Sequence, residues 1–153
     1  MVKRSLWYWI ASLGGIGRCP VAPGTAATLA AGLPVALVLS VFPQAVLIFA
    51  AVSAIVLGCI ASDAAERELG VRDPGEIVID ELAGYLVALI GHPVTMKAAV
   101  LAFVFFRLFD IWKPWPLRLL QERLEGGLAV MADDVGAGVY ANLSVWLLMS
   151  IWR

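Results

Sequence analysis

The most prominent feature of the chain's hydrophobic pattern is a long apolar stretch that contains no charged residue. No Asp, Glu, Lys or Arg occurs from position 19 to 62, whereas about 20 helical residues at about 1.5 Å each already cover the roughly 30 Å hydrocarbon core of a bilayer. The stretch therefore predicts two membrane-spanning helices. Pro43 is the natural boundary, with one helix from Thr25 to Phe42 and another from Gln44 to Ser62, and Pro34 predicts a kink in the first.

The later apolar segments are shorter and interrupted. The uncharged stretch 82–96 is broken by a Gly-His-Pro run, so it predicts a helical hairpin rather than one long helix. We expect a helix over Glu76–Gly91, a turn at 92–94 and a return helix over Thr95–Trp112. A last span is predicted over Ala132–Trp152.

Residues 1–18 differ from these segments because they are too polar to span. Lys3 and Arg4 precede the aromatic run Trp7-Tyr8-Trp9, which predicts an interfacial helix anchored by its rings. The pattern as a whole predicts an all-α, polytopic membrane bundle of about 4–5 membrane-embedded helices plus this N-terminal interfacial helix. Without linkers or repeats, residues 1–153 are expected to form a single membrane domain.

Composition agrees with a bilayer environment. Hydrophobic residues make up 61% of the chain and charged residues 15%, against about 45–50% and about 25% in soluble domains. The net charge of −1 comes without a basic stripe, so we expect no nucleic-acid partner. With a cytoplasmic N-terminus and five spans, all basic residues except Lys97 and Arg153 lie on the cytoplasmic side. The carboxylates gather at the same side.

Four polar groups at predicted helix ends are candidates for chemistry, because ionisable groups within a membrane are costly and usually functional. They are the Pro23-Gly24-Thr25 loop, Asp80-Glu81, Arg107 with Asp110 and Lys113, and Asp133-Asp134. Structural explanations compete with this one. Asp133-Asp134 could cap the last helix, and the spacing of three residues on either side of Asp110 also suits a structural ion pair.

Five carboxylates at one depth would repel each other unless a cation joined them. A ligand set made of oxygens alone suits magnesium better than zinc, and Arg107 and Lys113 could hold a phosphate beside the metal. The chain has one histidine, His92, expected in a turn on the opposite side. No cysteine-phosphatase loop, Asp-x-Asp strand motif or phosphate-binding P-loop occurs. These residues therefore predict metal-assisted phosphate ester chemistry at a membrane surface.

The same residues resemble a known family, phosphatidylglycerophosphatase A, over roughly positions 10 to 145. The resemblance is carried by four runs in the family's order: Pro23-Gly24-Thr25, Ile77-Val78-Ile79-Asp80-Glu81, Phe106-Arg107-Leu108-Phe109-Asp110-Ile111-Trp112-Lys113-Pro114-Trp115-Pro116, and Gly126-Gly127 followed by Asp133-Asp134-Val135-Gly136-Ala137-Gly138. One departure is Ala26-Ala27-Thr28, where the family usually has a glycine and a serine.

The resemblance implies a multi-pass enzyme of the bacterial inner membrane, with its active site facing the cytoplasm. Its expected reaction is the Mg²⁺-assisted hydrolysis of a membrane phospholipid, phosphatidylglycerol phosphate, to phosphatidylglycerol and inorganic phosphate. Carried over by position, the catalytic carboxylates are Asp80, Glu81, Asp110, Asp133 and Asp134, of which Asp80, Glu81, Asp133 and Asp134 are the expected metal ligands. The phosphate is expected to contact Gly24, Thr25, Arg107 and Lys113.

Two other functions stay open on the residues alone. Buried carboxylates also line ion and proton pathways in membrane proteins, although no inverted repeat is evident. A phosphatase acting on another lipid phosphate is the second alternative, because no feature of the sequence indicates recognition of the glycerol head group.

Overall fold

The computed structural model describes residues 4–151, and every regular element in that range is helical. The all-α prediction is confirmed. Lys3 and Trp152, which belong to the predicted anchor and to the predicted last span, lie outside the described residues. The helices are α1 (Leu6–Ala11), α2 (Pro23–Leu39), α3 (Gln44–Leu69), α4 (Ile79–Ala88), α5 (Met96–Trp112), α6 (Leu117–Arg123) and α7 (Gly126–Ile151), with a short 3₁₀ turn at Ile16–Arg18.

Helix α1 is the N-terminal aromatic helix, and it packs against α3. Tyr8 and Ala11 are buried, whereas Trp7 and Trp9 keep more than a third of their surface exposed. The backbone N–H of Val78, just before α4, donates to the carbonyl of Ala11 at 3.0 Å. The helix therefore fixes the segment that leads into the Asp80-Glu81 pair.

Helix α2 begins two residues before the predicted Thr25 and ends three before the predicted Phe42. Its helical path continues through Pro34, but the turn before this proline is a π-helix over Thr28–Gly32, in which the N–H of Leu33 donates to the carbonyl of Thr28. Proline lacks the N–H that an α-helix would use at this position, so the wider π-helical bonding replaces the α pattern there.

Helix α3 begins at Gln44, directly after Pro43, as predicted. The helix continues beyond the predicted end of the span at Ser62 as far as Leu69, and it stops at Gly70, which has a φ of 67°. Loss of apolar character marks where a bilayer would end, but Ala, Glu and Arg are good helix formers and continue the backbone hydrogen bonding. Glycine accepts the left-handed conformation that closes the helix.

The α4–α5 hairpin has the predicted turn, although α4 spans only Ile79–Ala88 rather than Glu76–Gly91. The side chain of Thr95 caps α5 by accepting a hydrogen bond from Ala98 N–H at 3.2 Å. At the end of α4, the Asn142 amide lies within 2.6–3.3 Å of three backbone carbonyls. One side chain from α7 thus supplies donors to carbonyls at the end of the helix, where α-helical bonding stops.

The last helix, α7, starts at Gly126, so the predicted start at Ala132 was wrong. Gly127 lies directly against the backbone carbonyl of Cys59 on α3, where a larger residue would clash. This close approach lets the helix start early. Asp133 and Asp134 therefore lie inside the helix rather than at its first turn, which removes the capping explanation of that pair.

Two glycines set the crossing of α4 and α7. A Cβ on Gly84 would lie 2.5 Å from the carbonyl oxygen of Asp134, and a Cβ on Gly138 would press against the backbone of Gly84. Only hydrogen fits at either position, so the two backbones approach closely. Asp80 and Glu81 lie about one turn before Gly84, and Asp134 lies about one turn before Gly138. The crossing therefore brings these carboxylates together.

Within residues 4–151, two helices, α3 and α7, are by length and composition able to cross a membrane, with 26 residues each. Large apolar side chains on both remain exposed, including Phe49 at 72% and Trp146 at 62%. The buried core lies between these helices and the α4–α5 hairpin, around Tyr85, Leu86 and Phe106. An outer surface this apolar is typical of contact with lipid rather than water.

Candidate active site

A cavity of about 190 Å³ lies beside the α4–α7 crossing, at the end of the bundle where α4 begins. Its charged lining comes from five separate parts of the fold: the loop before α4, α4 itself, the end of α5, the residue after α5, and α7. These charged residues are Asp73, Asp80, Glu81, Asp110, Lys113, Asp133 and Asp134. All five carboxylates expected from the sequence are thus brought together at one site.

Three of these carboxylates form a compact group able to hold a metal ion. Glu81, Asp110 and Asp134 each offer an oxygen, and the three oxygens lie within 4.8 Å of one another. The group includes Asp110, which the sequence predicts as catalytic but not as a metal ligand. Asp80 and Asp133, two of the expected ligands, lie in the same cavity outside this group.

Arg107 joins two members of the group. Its guanidinium contacts the Glu81 carboxylate and lies 2.8 Å from Asp110 Oδ2. The side chains of all three residues are 16% exposed or less. The buried Nε of Arg107 has no hydrogen-bond acceptor among the described residues. Buried N–H groups are rarely left without a partner, so this N–H retains a donor for a further acceptor, and Arg107 itself does not line the cavity.

Lys113 is the second cation of the site, and it follows directly after α5. Its backbone is left-handed, with a φ of 46°, and its ammonium contacts Asp133 and donates to Gln121 Oε1 at 3.1 Å. Burial lowers the pKa of Lys113, but the contact with Asp133 outweighs it and leaves the pKa above its usual value. Lys113 therefore keeps its charge at neutral pH.

Asp80 and Asp133 are both buried, with 9% and 4% exposed surface. Asp80 Oδ1 accepts a hydrogen bond from Glu81 N–H at 3.0 Å, and Asp133 is paired with Lys113. The carboxylates at this end of the bundle outnumber the two cations that contact them. Like charges in a poorly solvated site repel one another, so the arrangement favours binding of an additional cation.

Gly24, at the first turn of α2, also lines the cavity. A Cβ there would collide with the Glu81 carboxylate and lie 3.1 Å from Arg107 Nη1, so glycine is required for this close approach. The first helical hydrogen bond from this turn is donated by Ala26 N–H, which leaves the N–H groups of Gly24 and Thr25 outside the helical pattern. Thr25 is half-buried and adjoins the lining without contributing to it.

Sequence reasoning missed two residues at this site. Asp73 lines the cavity from the loop between α3 and α4, where its φ is 48°, and Gln121 lies on α6, a helix that the sequence pattern does not predict. Neither residue belongs to an apolar segment or to a recurring spacing. Only their position in the folded chain connects them to the site.

The fold and the site together define a class of protein: all-helical, apolar on its outer surface, with a buried acidic site able to hold a metal ion. The chain belongs to the phosphatidylglycerophosphatase A family, whose match covers residues 9–149. The family resemblance predicted from the motifs is therefore confirmed.

Curated relatives match this chain over most of their length. A phosphatidylglycerophosphatase A of Escherichia coli (strain K12) is 33% identical over 147 residues, which are 95% of this chain and 85% of the relative. A protein of the same name from Haemophilus influenzae is 35% identical over 88% of this chain and 83% of the relative. A putative phosphatidylinositol-3-phosphatase of Bacteroides thetaiotaomicron is 35% identical over 86% of each chain. No solved structure matches.

Proposed function

We propose that this protein is a phosphatidylglycerophosphatase, which hydrolyses the terminal phosphate of phosphatidylglycerol phosphate and releases phosphatidylglycerol and inorganic phosphate. Family membership and two relatives of that name support the reaction class. The observation that carries the proposal is the compact group of Glu81, Asp110 and Asp134 beside Arg107 and Lys113. An acidic metal group next to two cations suits a phosphate ester and a metal ion together.

The donor set fits Mg²⁺. Ligand oxygens around an octahedral magnesium at about 2.0–2.1 Å lie roughly 3–4 Å apart, close to the spread of Glu81, Asp110 and Asp134. Every ionisable side chain that could ligate a metal in the cavity lining is a carboxylate, and carboxylate oxygens suit this metal. Magnesium would supply Lewis-acid polarisation of a phosphoryl oxygen. We propose these three residues as its holders, with Asp80 and Asp133 close to them.

The phosphate would be gripped from two sides. Arg107, which is paired with Glu81 and Asp110, would donate its Nε–H, which has no acceptor among the described residues, and Lys113 would donate an ammonium hydrogen to a second oxygen. The N–H groups of Gly24 and Thr25 at the start of α2 are the proposed neutral donors. Together these groups would orient the terminal phosphate against the carboxylates and leave the glycerol oxygen toward the lipid.

Hydrolysis joins a water oxygen to phosphorus and breaks the bond between phosphorus and the glycerol oxygen. The water loses a proton, and the departing glycerol oxygen gains one. We assign these proton transfers to Asp80 and Asp133, because both are buried in the cavity and lie outside the compact three-carboxylate group. Positioned carboxylates are ordinary agents of such general acid–base steps.

The proposal includes a place in the cell. We infer a multi-pass protein of the bacterial inner membrane in which α3 and α7 cross the bilayer and the shorter helices of the bundle are embedded beside them, about 4–5 in all. Residues 1–153 would form one membrane domain with the aromatic helix α1 at the interface. Exposed apolar side chains on α3 and α7 support this placement, and the distribution of basic residues supports a site at the cytoplasmic leaflet.

A second candidate substrate comes from one comparison. The Bacteroides relative is named for an inositol lipid phosphatase although it is as similar to this chain as the Haemophilus relative. The groups proposed to grip the substrate address its phosphate, so related lipid phosphates are natural competitors. An ion or proton pathway is not favoured, because the curated relatives are named as phosphatases.

Phosphate release from detergent micelles tests the proposal. Purified protein is given phosphatidylglycerol phosphate, phosphatidylinositol 3-phosphate or phosphatidic acid, with Mg²⁺ and then with a chelator. We expect Mg²⁺-dependent release, fastest from the first lipid, its loss in Glu81→Gln, and its retention in Glu122→Gln. Glu122 is a matched control because its carboxylate is 62% exposed in a surface pair with Arg118. No release from any lipid would exclude the enzyme, and full activity in Glu81→Gln would exclude the site.

A further inference from the structure

Gln121 on α6 stands between a residue of the proposed site and a residue of the loop before α4. Its Oε1 accepts a hydrogen bond from Lys113 Nζ at 3.1 Å, and its Nε2 donates to Asp73 Oδ2 at 3.0 Å. An ammonium can only donate and a carboxylate can only accept. The orientation of the Gln121 amide is therefore fixed by the chemistry of its two partners.

The backbone around Gln121 is tied to the same loop. Arg72 Nη2 donates to the carbonyl oxygens of Gln121 and Leu124, both at 3.0 Å. The N–H of Asp73 donates to Glu66 Oε1 at 2.6 Å, which fixes the loop in turn to the end of α3. The backbones of Asp73 and Gln121 are thus both anchored, which holds the two residues next to each other, while the bond between their side chains is exposed to solvent.

The pair lies on the wall between two cavities. A second cavity of about 380 Å³ is lined by Gln121 and Arg72 and opens next to the site. Asp73 and Val130 line both cavities, whereas Lys113 lines only the cavity of the candidate active site. Gln121 therefore contacts Lys113 from outside the active-site cavity and does not occupy the space that a phosphate would take.

We propose that Gln121, anchored by Asp73, is a positioning residue that orients Lys113 toward the phosphate. This inference rests on the proposed function, in which Lys113 grips the substrate phosphate. A lysine ammonium has three donors on a flexible stem; Asp133 and Gln121 engage two of them, which leaves the third for a phosphate oxygen. Loss of the Gln121 contact should weaken substrate binding more than it slows the chemical step.

Moving the carboxylate from position 73 to position 121, and the amide from position 121 to position 73, tests the pair. In Gln121→Glu, the new carboxylate still accepts from Lys113 but faces the carboxylate of Asp73, and we expect KM to rise about tenfold with kcat changed less than about twofold. Asp73→Asn keeps an acceptor without its charge and should raise KM about threefold. In the double variant, the amide introduced at position 73 can donate to the carboxylate introduced at position 121, and KM should return to within about threefold of wild type.

Matched variants separate positioning from folding. Glu122→Gln changes the next residue on the same helix and should leave KM unaltered. Gln121→Met removes both hydrogen bonds without adding charge, and it should raise KM while the melting temperature in the same detergent stays within a few degrees. A double variant no better than Gln121→Glu alone, or a fall in kcat as large as the rise in KM, would overturn the proposal.

Binding of inorganic phosphate keeps this inference distinct from the proposed function. With Mg²⁺ present, phosphate should raise the melting temperature of the wild type, and Gln121→Glu should require about tenfold more phosphate for the same rise. Wild-type protein that binds phosphate in this way but hydrolyses no lipid would defeat the proposed function alone. Equal phosphate affinities in the wild type and Gln121→Glu would defeat the positioning role.

Discussion

The two ends of α4 bury polar groups in opposite ways. At its start, Glu81 meets Asp110 and Asp134 in a site whose carboxylates outnumber its cations. At its end, the neutral amide of Asn142 lies within reach of three backbone carbonyls. Both ends contact the same helix, α7. The neutral end completes hydrogen bonds that the fold itself leaves open, whereas the charged end is balanced only when something else binds.

This contrast distinguishes structural from functional polarity. A neutral amide that satisfies helix carbonyls stabilises the protein without needing a ligand. Clustered carboxylates cost stability until a cation joins them, which is the pattern found where proteins exchange stability for activity. Substitutions at the two ends should therefore move activity and stability in different directions.

The largest expected effect is on activity at the charged end. Asp134→Asn removes one oxygen donor's charge from the compact group, and we expect kcat/KM for phosphatidylglycerol phosphate to fall about 10²–10⁴-fold. Phosphate release at saturating Mg²⁺ measures it. Activity within tenfold of wild type would mean that Asp134 is not part of the reacting site.

A smaller loss of activity is expected when the planar guanidinium of Arg107 is replaced by an ammonium group. Arg107→Lys keeps the positive charge near Glu81 and Asp110 but loses the planar set of donors, including Nε. We expect KM to rise about 10–100-fold, with a smaller change in kcat. Substrate titration in mixed micelles checks the split. An unchanged KM would show that the guanidinium serves the ion pairs alone.

A substitution at the neutral end should change the stability of the protein but not its activity. Asn142→Leu has a similar volume but cannot donate, so the free energy of unfolding should fall by about 1–3 kcal/mol. Because α4 also carries Glu81 at its other end, the sharper test is that KM and kcat of the folded fraction stay at wild-type values. A melting curve in detergent together with the activity assay decides it. A loss of activity without a lower melting temperature would break the contrast.

The smallest expected effect is on the melting temperature, and its direction is the most specific test. In a chelator, Asp134→Asn should melt a few degrees above wild type, since about 1 kcal/mol shifts a domain of this size by about 2–4 °C and removal of one like charge relieves repulsion. Added Mg²⁺ should then stabilise the wild type but not the variant. A variant less stable than wild type in chelator would indicate that the carboxylate is structural.

Much of the fold could be predicted from the apolar pattern because bilayer thickness and proline impose local rules. The boundary at Pro43 and the turn around His92 follow from such rules, and the structure has both. The end of α3 and the start of α7 do not, because backbone hydrogen bonding continues beyond the apolar residues and because Gly127 fits against a carbonyl of another helix. Such contacts have no local signature.

The candidate site divides in the same way. Charged residues in apolar surroundings are conspicuous in a sequence, and every carboxylate expected there lines the cavity. Asp73 and Gln121 are polar residues among other polar residues, so nothing local marks them. The grouping of Glu81 with Asp110 likewise depends on how α4 and α5 lie beside α7, and residue spacing does not encode it.

The length of α3 has a consequence for the host bilayer. Its 26 residues measure about 39 Å, whereas the hydrocarbon core measures about 30 Å, so in the proposed placement across the bilayer the last turns of the helix would extend beyond the acyl chains. Glu66, on those turns, holds the loop that carries Asp73. In that placement, the length of α3 would set the distance between the site and the lipid tails. Hydrolysis should depend on the acyl-chain length of the surrounding lipids, even when the substrate stays the same.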